Sequence, residues 1–202
     1  MKKKTVSFLV SGRGSNFSAV AEKILEGKIK AKTGIVISDK AEAKALEIAT
    51  TYGMKSFFVN PKEYSSREDH ERKMVQLLEE AGTDLVVTAG YMRILTPYFI
   101  NAFGQRIINI HPALLPAFPG IHGQKQALDY GVRFAGCTAH FVDEGTDTCH
   151  IISQAVVPVL QDDTEKTISA RILKEEHRIL PEAVKLFCEE RLTIKGRKVL
   201  IK

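Results

Sequence analysis

An amide and an imidazole stand two positions apart at the end of a short apolar run. Asn109 lies within the run at residues 106–110, and His111 follows directly. In a strand, side chains two positions apart point to the same face of the sheet. The N–H groups of an amide and an imidazole can together stabilise a developing oxyanion, as acyl transfer requires. The pair therefore predicts an acyl-transfer site, although a buried Asn and His bonded to backbone groups would give the same pattern.

Carboxylates follow a predicted strand at residues 139–142. They are Asp143, Glu144 and Asp147. A carboxylate close to the imidazole of His111 could accept a proton from an amine nucleophile. An acidic turn exposed to solvent is the alternative interpretation. His140, within the strand, is predicted either to support the site from behind or to lie in the core.

A glycine-containing segment joins the first predicted strand to the first predicted helix. Residues 11–16 read Ser-Gly-Arg-Gly-Ser-Asn. Backbone N–H groups at a helix N-terminus bind anions, and Ser15 and Asn16 add side-chain donors. A dinucleotide fingerprint would need glycine where Phe17 stands, and no P-loop lysine follows. The segment predicts a site for one phosphate, with a tight turn without ligand as the alternative.

A metal site is not expected. Cys137, His140, Cys149 and His150 are near one another in the sequence. Their spacing suits zinc poorly, since no Cys-x-x-Cys pair occurs and two adjacent residues of one strand cannot readily chelate one ion. A serine hydrolase is also disfavoured, because no Gly-x-Ser-x-Gly motif is present.

Short apolar runs alternate with segments of helical period, which predicts an α/β fold with a mostly parallel sheet flanked by helices. The predicted strands are residues 5–10, 31–38, 55–59, 85–89, 106–110, 139–142 and 151–159, the last two forming an antiparallel extension in the C-terminal half. The predicted helices are residues 17–26, 41–52, 66–81, 124–130 and 167–191. Ser15 and Asn16 are expected to cap the first helix and Asp39 the second, and Pro181 is expected to kink or divide the last.

The composition is that of a globular protein. The chain has 202 residues, of which 44% are hydrophobic and 26% charged, and its net charge is +5. We expect a single domain, 1–202, built from halves at 1–100 and 101–202. Three cysteines favour a reducing, cytoplasmic location. Interleaved basic and acidic residues argue against a nucleic-acid partner, and the lack of a long apolar run argues against a membrane partner.

Four motifs in order give a specific resemblance. They lie at residues 11–16, 89–95, 108–116 and 140–147, and together they resemble the phosphoribosylglycinamide formyltransferases of the folate-dependent formyltransferase superfamily. The resemblance runs from the first strand to about residue 192. It implies a Rossmann-like fold and transfer of the formyl group of 10-formyltetrahydrofolate to the amine of glycinamide ribonucleotide in purine biosynthesis. A monomer or a homodimer is expected.

The resemblance also implies roles for individual residues. The catalytic residues would be Asn109, His111 and Asp147. The ribonucleotide and its phosphate would be bound by Gly12, Arg13, Gly14, Ser15, Asn16 and Glu176. The folate would be bound by Met92, Arg93, Ile94, Leu95, Val142, Asp143 and Glu144.

Other functions remain open at this stage. Formyltetrahydrofolate deformylases use water in place of the amine, but usually carry an additional N-terminal regulatory domain. Methionyl-tRNA formyltransferases carry an RNA-binding domain, for which this chain has no length. A catalytically silent protein that binds nucleotide or folate is a further alternative. Thr148, Cys149 and His150 stand where the family usually has Thr-Gly-Pro or Gly-Gly-Pro after the aspartate, which predicts a more mobile loop.

Overall fold

The structure is a computed structural model that describes residues 2–143 and 150–202. The chain divides into two compact units, Met1–Ile108 and Asn109–Lys202. The boundary falls within a strand, and not in a linker. That the whole chain forms one domain stays a prediction.

The first unit alternates strands and helices. Its elements are β1 (Lys4–Val10), α1 (Ser15–Leu25), β2 (Ala31–Ser38), α2 (Lys44–Thr51), β3 (Ser56–Phe58), a 3-10 helix (Pro61–Glu63), α3 (Arg67–Glu80), β4 (Leu85–Thr88), α4 (Pro97–Phe103) and the start of β5 (Ile107–His111). The strand order is β3-β2-β1-β4, with β5 next to β4. β1 pairs in parallel with β2 and β4, and β2 pairs in parallel with β3.

The core of the first unit lies around β1 and β4. All four residues of β4 are buried, as are the last five of β1. Both α1 and α2 pack against β2, and the rings of Phe8 and Phe17 meet edge to face at 4.8 Å between centroids. Because the strands are parallel, their carboxyl ends share one edge, and the segments that follow them meet there.

The second unit continues from β5. Its further elements are α5 (Gly123–Tyr130), β6 (Phe134–Phe141), β7 (Ile151–Pro158), α6 (Glu165–Cys188), β8 (Leu192–Lys195) and β9 (Lys198–Ile201). The strand order is β5-β6-β7, and β8 and β9 form a separate antiparallel pair. β6 and β7 are antiparallel, and α6 packs against both.

The predicted fold class is confirmed, including the mostly parallel sheet and its antiparallel C-terminal extension. Some details were wrong. The N-cap of α1 is Gly14, so Ser15 and Asn16 are the first helical residues and not its caps. The N-cap of α2 is Ala43, because the carboxylate of Asp39 instead accepts a hydrogen bond from another loop. Helix α6 continues through Pro181, so of the two predicted effects the division is wrong, while the kink stays a prediction.

The sequence patterns did not predict α4 or the pair β8 and β9. Helix α4 has seven residues and no charged side chain, which gives a weak helical pattern. None of the helices in the described ranges is both long enough and apolar enough to span a bilayer.

Candidate functional site

Asn109 and His140 are joined by a hydrogen bond within the second unit. Nδ2 of Asn109 lies 3.2 Å from Nε2 of His140, and Nδ1 of His140 lies 3.0 Å from the carbonyl oxygen of Phe141. A carbonyl oxygen only accepts, so Nδ1 carries the proton and, in the neutral ring, Nε2 accepts from the Asn109 amide. His140 is therefore the residue that fixes which way the amide of Asn109 faces.

The imidazole of His111 is held by a hydrogen bond from its Nε2 atom. The side chain is buried, with 4% of its surface exposed. Nε2 donates to the carbonyl oxygen of Phe118 at 2.9 Å. The remaining nitrogen, Nδ1, is a donor only when the ring is protonated and an acceptor when it is neutral. The sequence predicted the position of this imidazole but not its partner, because Phe118 contributes only a backbone atom.

The loop that carries Phe118 is tied to the neighbouring strands. Oγ1 of Thr138 donates to the carbonyl of Ala113 at 2.7 Å and accepts from the backbone N–H of Leu115 at 3.1 Å. Nε2 of Gln154 donates to the carbonyl of Leu115 at 2.9 Å. Phe118 itself has a φ of 55°, a left-handed conformation that is uncommon for a non-glycine residue. Polar residues within the apolar patterns of β6 and β7 were the sequence signal for this network, and it was missed.

The second unit also places part of the predicted substrate-binding set. Val142 and Asp143 follow β6 and are half-buried. Glu176 lies on α6 and is buried, with 6% of its surface exposed. It contributes, after burial itself, to the raised pKa of Cys137, which is about 12. Glu144 and Asp147 lie outside the described residues. The loop that was predicted to be more mobile lies largely outside them as well.

The glycine segment of the first unit forms a tight turn into the N-terminus of α1. Gly14 adopts a φ of 78°, and a Cβ there would lie 2.8 Å from Cβ of Ala45. Glycine is therefore required at this position for both conformation and space. Ser15 and Asn16 begin α1, so their backbone N–H groups belong to the helix terminus, where anions are favoured. Gly12 and Arg13 are exposed.

The segment at residues 92–95 exposes apolar side chains beside a buried anchor. Met92 is 70% exposed and Ile94 62%, while Leu95 is buried and Arg93 half-buried. Two exposed apolar side chains two positions apart suit contact with a flat apolar ring.

A buried carboxylate on α3 fixes the end of this segment. Glu71 accepts from the backbone N–H of Thr96 at 3.0 Å and also from its hydroxyl. Burial raises the pKa of Glu71, and the bonds from Thr96 offset part of that rise. The charged N-terminal half of α3 suggested an exposed helix, so sequence reasoning missed Glu71.

Within residues 2–143 and 150–202, no group of three metal-ligating side chains comes together. Cys137 lies in the core, and Cys149 lies outside the described residues. Nε2 of His150 donates to the carbonyl of Gly196 at 3.0 Å, in the turn between β8 and β9.

Comparison with known proteins matches residues 4–184 to the formyl transferase family. The chain is 41% identical over 182 residues to phosphoribosylglycinamide formyltransferase of Bacillus subtilis, covering 90% of this chain and 93% of that one. It is 43% identical to the trifunctional purine biosynthetic protein adenosine-3 of Drosophila melanogaster, covering 91% of this chain but only 14% of that longer protein.

Among solved structures, glycinamide ribonucleotide transformylase 1 of Symbiobacterium toebii superposes with a TM-score of 0.97 at 47% identity. The match covers 98% of this chain and 94% of that one. The sequence identity extends over nearly the whole length and is accompanied by the same fold, and together these assign the family. The chain belongs to the formyl transferase family.

Proposed function

We propose that this protein transfers the formyl group of 10-formyltetrahydrofolate to the amine of glycinamide ribonucleotide. The observation that carries the proposal is the oriented pair on β5, where the Asn109 amide is fixed by His140 and the His111 ring by Phe118. An oriented amide beside an oriented imidazole suits a reaction in which negative charge develops on a formyl oxygen. The products are formylglycinamide ribonucleotide and tetrahydrofolate.

In the proposed mechanism, the neutral amine attacks the formyl carbon. One N–H of Asn109 donates to His140, and we assign the other to the developing oxyanion. Nδ1 of His111 donates to the same oxygen when the ring is protonated, since Nε2 is already committed to Phe118. Asp147 accepts the proton that the amine loses, and the proton passes to the folate nitrogen as its bond to the formyl carbon breaks.

The binding roles follow from the same assignment. The N–H groups at the start of α1 hold the phosphate, with Gly12, Arg13 and Gly14 forming the approach and Ser15 and Asn16 adding donors. Glu176 contacts the ribonucleotide.

The folate needs a surface that accepts a flat ring. The exposed apolar side chains of Met92 and Ile94 fit this requirement, with Arg93 and Leu95 completing the segment. Val142, Asp143 and Glu144 are the further residues that we assign to the folate. When bound, the formyl-folate supplies the activated formyl group. A cytoplasmic location, with no nucleic-acid or membrane partner, stays a prediction, as does a monomer or homodimer.

One assay separates the proposed transfer from its alternatives. Purified protein is mixed with 10-formyltetrahydrofolate, with and without glycinamide ribonucleotide, and tetrahydrofolate is measured. Release that requires the ribonucleotide supports transfer. Release without it indicates a deformylase, and binding without release indicates a catalytically silent protein.

The role of Asn109 is tested by replacing its amide. We expect Asn109→Ala to lower kcat about 100- to 1,000-fold, the usual cost of removing one oxyanion donor. The matched control is Asn101→Ala, at an exposed position on α4. Turnover by Asn109→Ala close to that of the control would reject the assignment.

A further inference from the structure

Ser11 connects three segments of the first unit that follow three different strands. It comes directly after β1, and its hydroxyl donates to Oδ1 of Asp39, after β2, at 2.6 Å. The same hydroxyl accepts from the backbone N–H of Met92, beyond β4, at 2.9 Å. The backbone N–H of Ser11 also donates to the carbonyl of Gly90 at 3.2 Å. A single side chain therefore fixes the start of the 92–95 segment.

The direction of this side chain separates Ser11 from the rest of the glycine segment. By sequence, Ser11 is the first residue of the motif at residues 11–16 and directly precedes the residues expected to hold phosphate. Its hydroxyl is instead committed as a donor to the buried carboxylate of Asp39 and as an acceptor to Met92. Hydrogen bonds to charged groups are stronger than neutral ones, so Asp39 gives the hydroxyl a defined orientation. The lone pair of the oxygen is then aimed at the Met92 N–H.

The segment has a second anchor at its other end. Glu71 accepts from the backbone of Thr96, so the residues between are held at both ends by groups connected to buried carboxylates. The exposed side chains of Met92 and Ile94 contribute little packing of their own to hold the backbone in place. Loss of the Ser11 bond would therefore free the Met92 end of the segment first.

We propose that Ser11 is a positioning residue for the 92–95 segment, which we assign to the formyl-folate, although Ser11 itself lies in the motif at residues 11–16. The identity of the ligand rests on the proposed function. The effect of Ser11 on the backbone of Met92 does not depend on that function. Ser11 acts through the backbone of Met92, so its removal weakens binding of the folate more than binding of the ribonucleotide.

The test compares Ser11→Ala with the unmodified protein and two further variants. Ser11→Thr keeps the hydroxyl. Ser7→Ala is the matched control, because Ser7 lies in the same strand, is fully buried and bonds Thr83 and the backbone of Ile35. Three quantities are measured: KM for 10-formyltetrahydrofolate, KM for glycinamide ribonucleotide, and hydrogen exchange of the Met92 amide in ligand-free protein.

We expect Ser11→Ala to raise KM for the formyl donor about five- to tenfold and to speed exchange of the Met92 amide by a similar factor, as loss of one hydrogen bond implies. KM for the ribonucleotide and kcat should stay within about twofold. Ser11→Thr should restore the formyl-donor KM, and Ser7→Ala should lower Tm without changing either KM.

Each contrary result has its own meaning. Unchanged exchange at Met92 would overturn the proposal whatever the enzyme's activity. A rise in the ribonucleotide KM alone would overturn the proposal and place Ser11 at the phosphate site. Equal loss of both affinities, matched by Ser7→Ala, would show a general structural role. If Ser11→Ala does not fold, Asp39→Asn, which keeps an oxygen acceptor, should shift the same quantities less far. Failure of the unmodified protein to release tetrahydrofolate would reject the proposed function, while Met92 exchange would still test the positioning step.

Discussion

The candidate catalytic groups on β5 are oriented by contacts that involve few side chains. The proton on Nδ1 of His140 is committed to the carbonyl of Phe141, which leaves Nε2 to receive the Asn109 amide. The proton on Nε2 of His111 is committed to the carbonyl of Phe118. Backbone carbonyls cannot reverse their polarity, so each imidazole presents one defined nitrogen. Orientation fixed before substrate arrives is the condition for oxyanion stabilisation without reorganisation.

Gly12 offers a test of phosphate binding that does not disturb the protein. A Cβ at this position would have no atom within 4 Å, whereas a Cβ at Gly14 would press on Ala45. We expect Gly12→Ala to raise KM for the ribonucleotide by obstructing the approach to the helix N-terminus, with Tm and the formyl-donor KM little changed. Gly14→Ala is the contrasting variant and should lower Tm. An unchanged ribonucleotide KM in Gly12→Ala would place the phosphate elsewhere.

At the scale of elements, α3 is attached to the end of β3 by a buried imidazole. His70 is 1% exposed, and its Nε2 donates to the carbonyl of Val59 at 3.0 Å. Burial lowers the pKa of His70 and outweighs the hydrogen bond to Val59, which raises it; Arg93 adds a smaller lowering contribution and Asp39 a smaller raising one. The neutral ring is therefore favoured in the folded protein. Its contribution to stability is present above the unfolded pKa, about 6.5, and is lost as pH falls through the folded value.

The consequence is that the free energy of unfolding depends on pH, and one substitution should reduce this dependence. Glutamine can donate to the Val59 carbonyl but does not titrate, so we expect His70→Gln to reduce the fall in the free energy of unfolding between pH 7.5 and about pH 5. Urea unfolding at a series of pH values measures this. Comparison of the two proteins at pH 8, where the ring is neutral in both states, gives the cost of the substitution itself. Parallel pH curves would show that His70 does not contribute to acid sensitivity.

The elements that the sequence predicted well have strong local patterns. The predicted bounds of β2 agree with the structure, and those of β1 and β5 agree within one residue, because each strand contains a short run of buried apolar residues. Long-range contacts account for much of the rest. Asp39 has the side chain of a helix cap but binds Ser11, 28 positions away. Local spacing cannot reveal a partner that the fold brings from another strand.

The same distinction applies to the candidate site. Asn109 and His111 were found because their relation is local, two positions apart on one strand. The contact of Asn109 with His140 spans 31 positions, and the contact of His111 is to a main-chain oxygen. His140 was singled out by its position near the site, but its pairing with Asn109 was not predicted, and the main-chain partner of His111 leaves no signal in residue types. Glu71 was missed for a related reason: a carboxylate in a charged helix looks solvated until its partner at Thr96 is known.

At the scale of the whole molecule, the boundary between the two compact units passes through β5. Ile107 and Ile108 belong to the first unit, and the candidate residues Asn109 and His111 to the second. Both isoleucines are fully buried. If one half of β5 unfolds, the other half loses backbone hydrogen bonds and its buried apolar side chains become exposed. This favours cooperative unfolding. The proposed catalytic pair therefore lies on a strand whose residues are divided between the two units.

We accordingly expect the chain to unfold in one transition. Cys137 of β6 is a probe in the second unit, since it is fully buried and has a pKa of about 12, so the folded protein should resist alkylation at pH 8. Hydrogen exchange of β1 amides is the probe in the first unit. Across a urea series, pulse alkylation of the Cys137 peptide and loss of β1 protection should share one midpoint, as two-state unfolding requires. Separate midpoints would show two domains that unfold independently, and the expectation of a single domain over residues 1–202 would then be wrong.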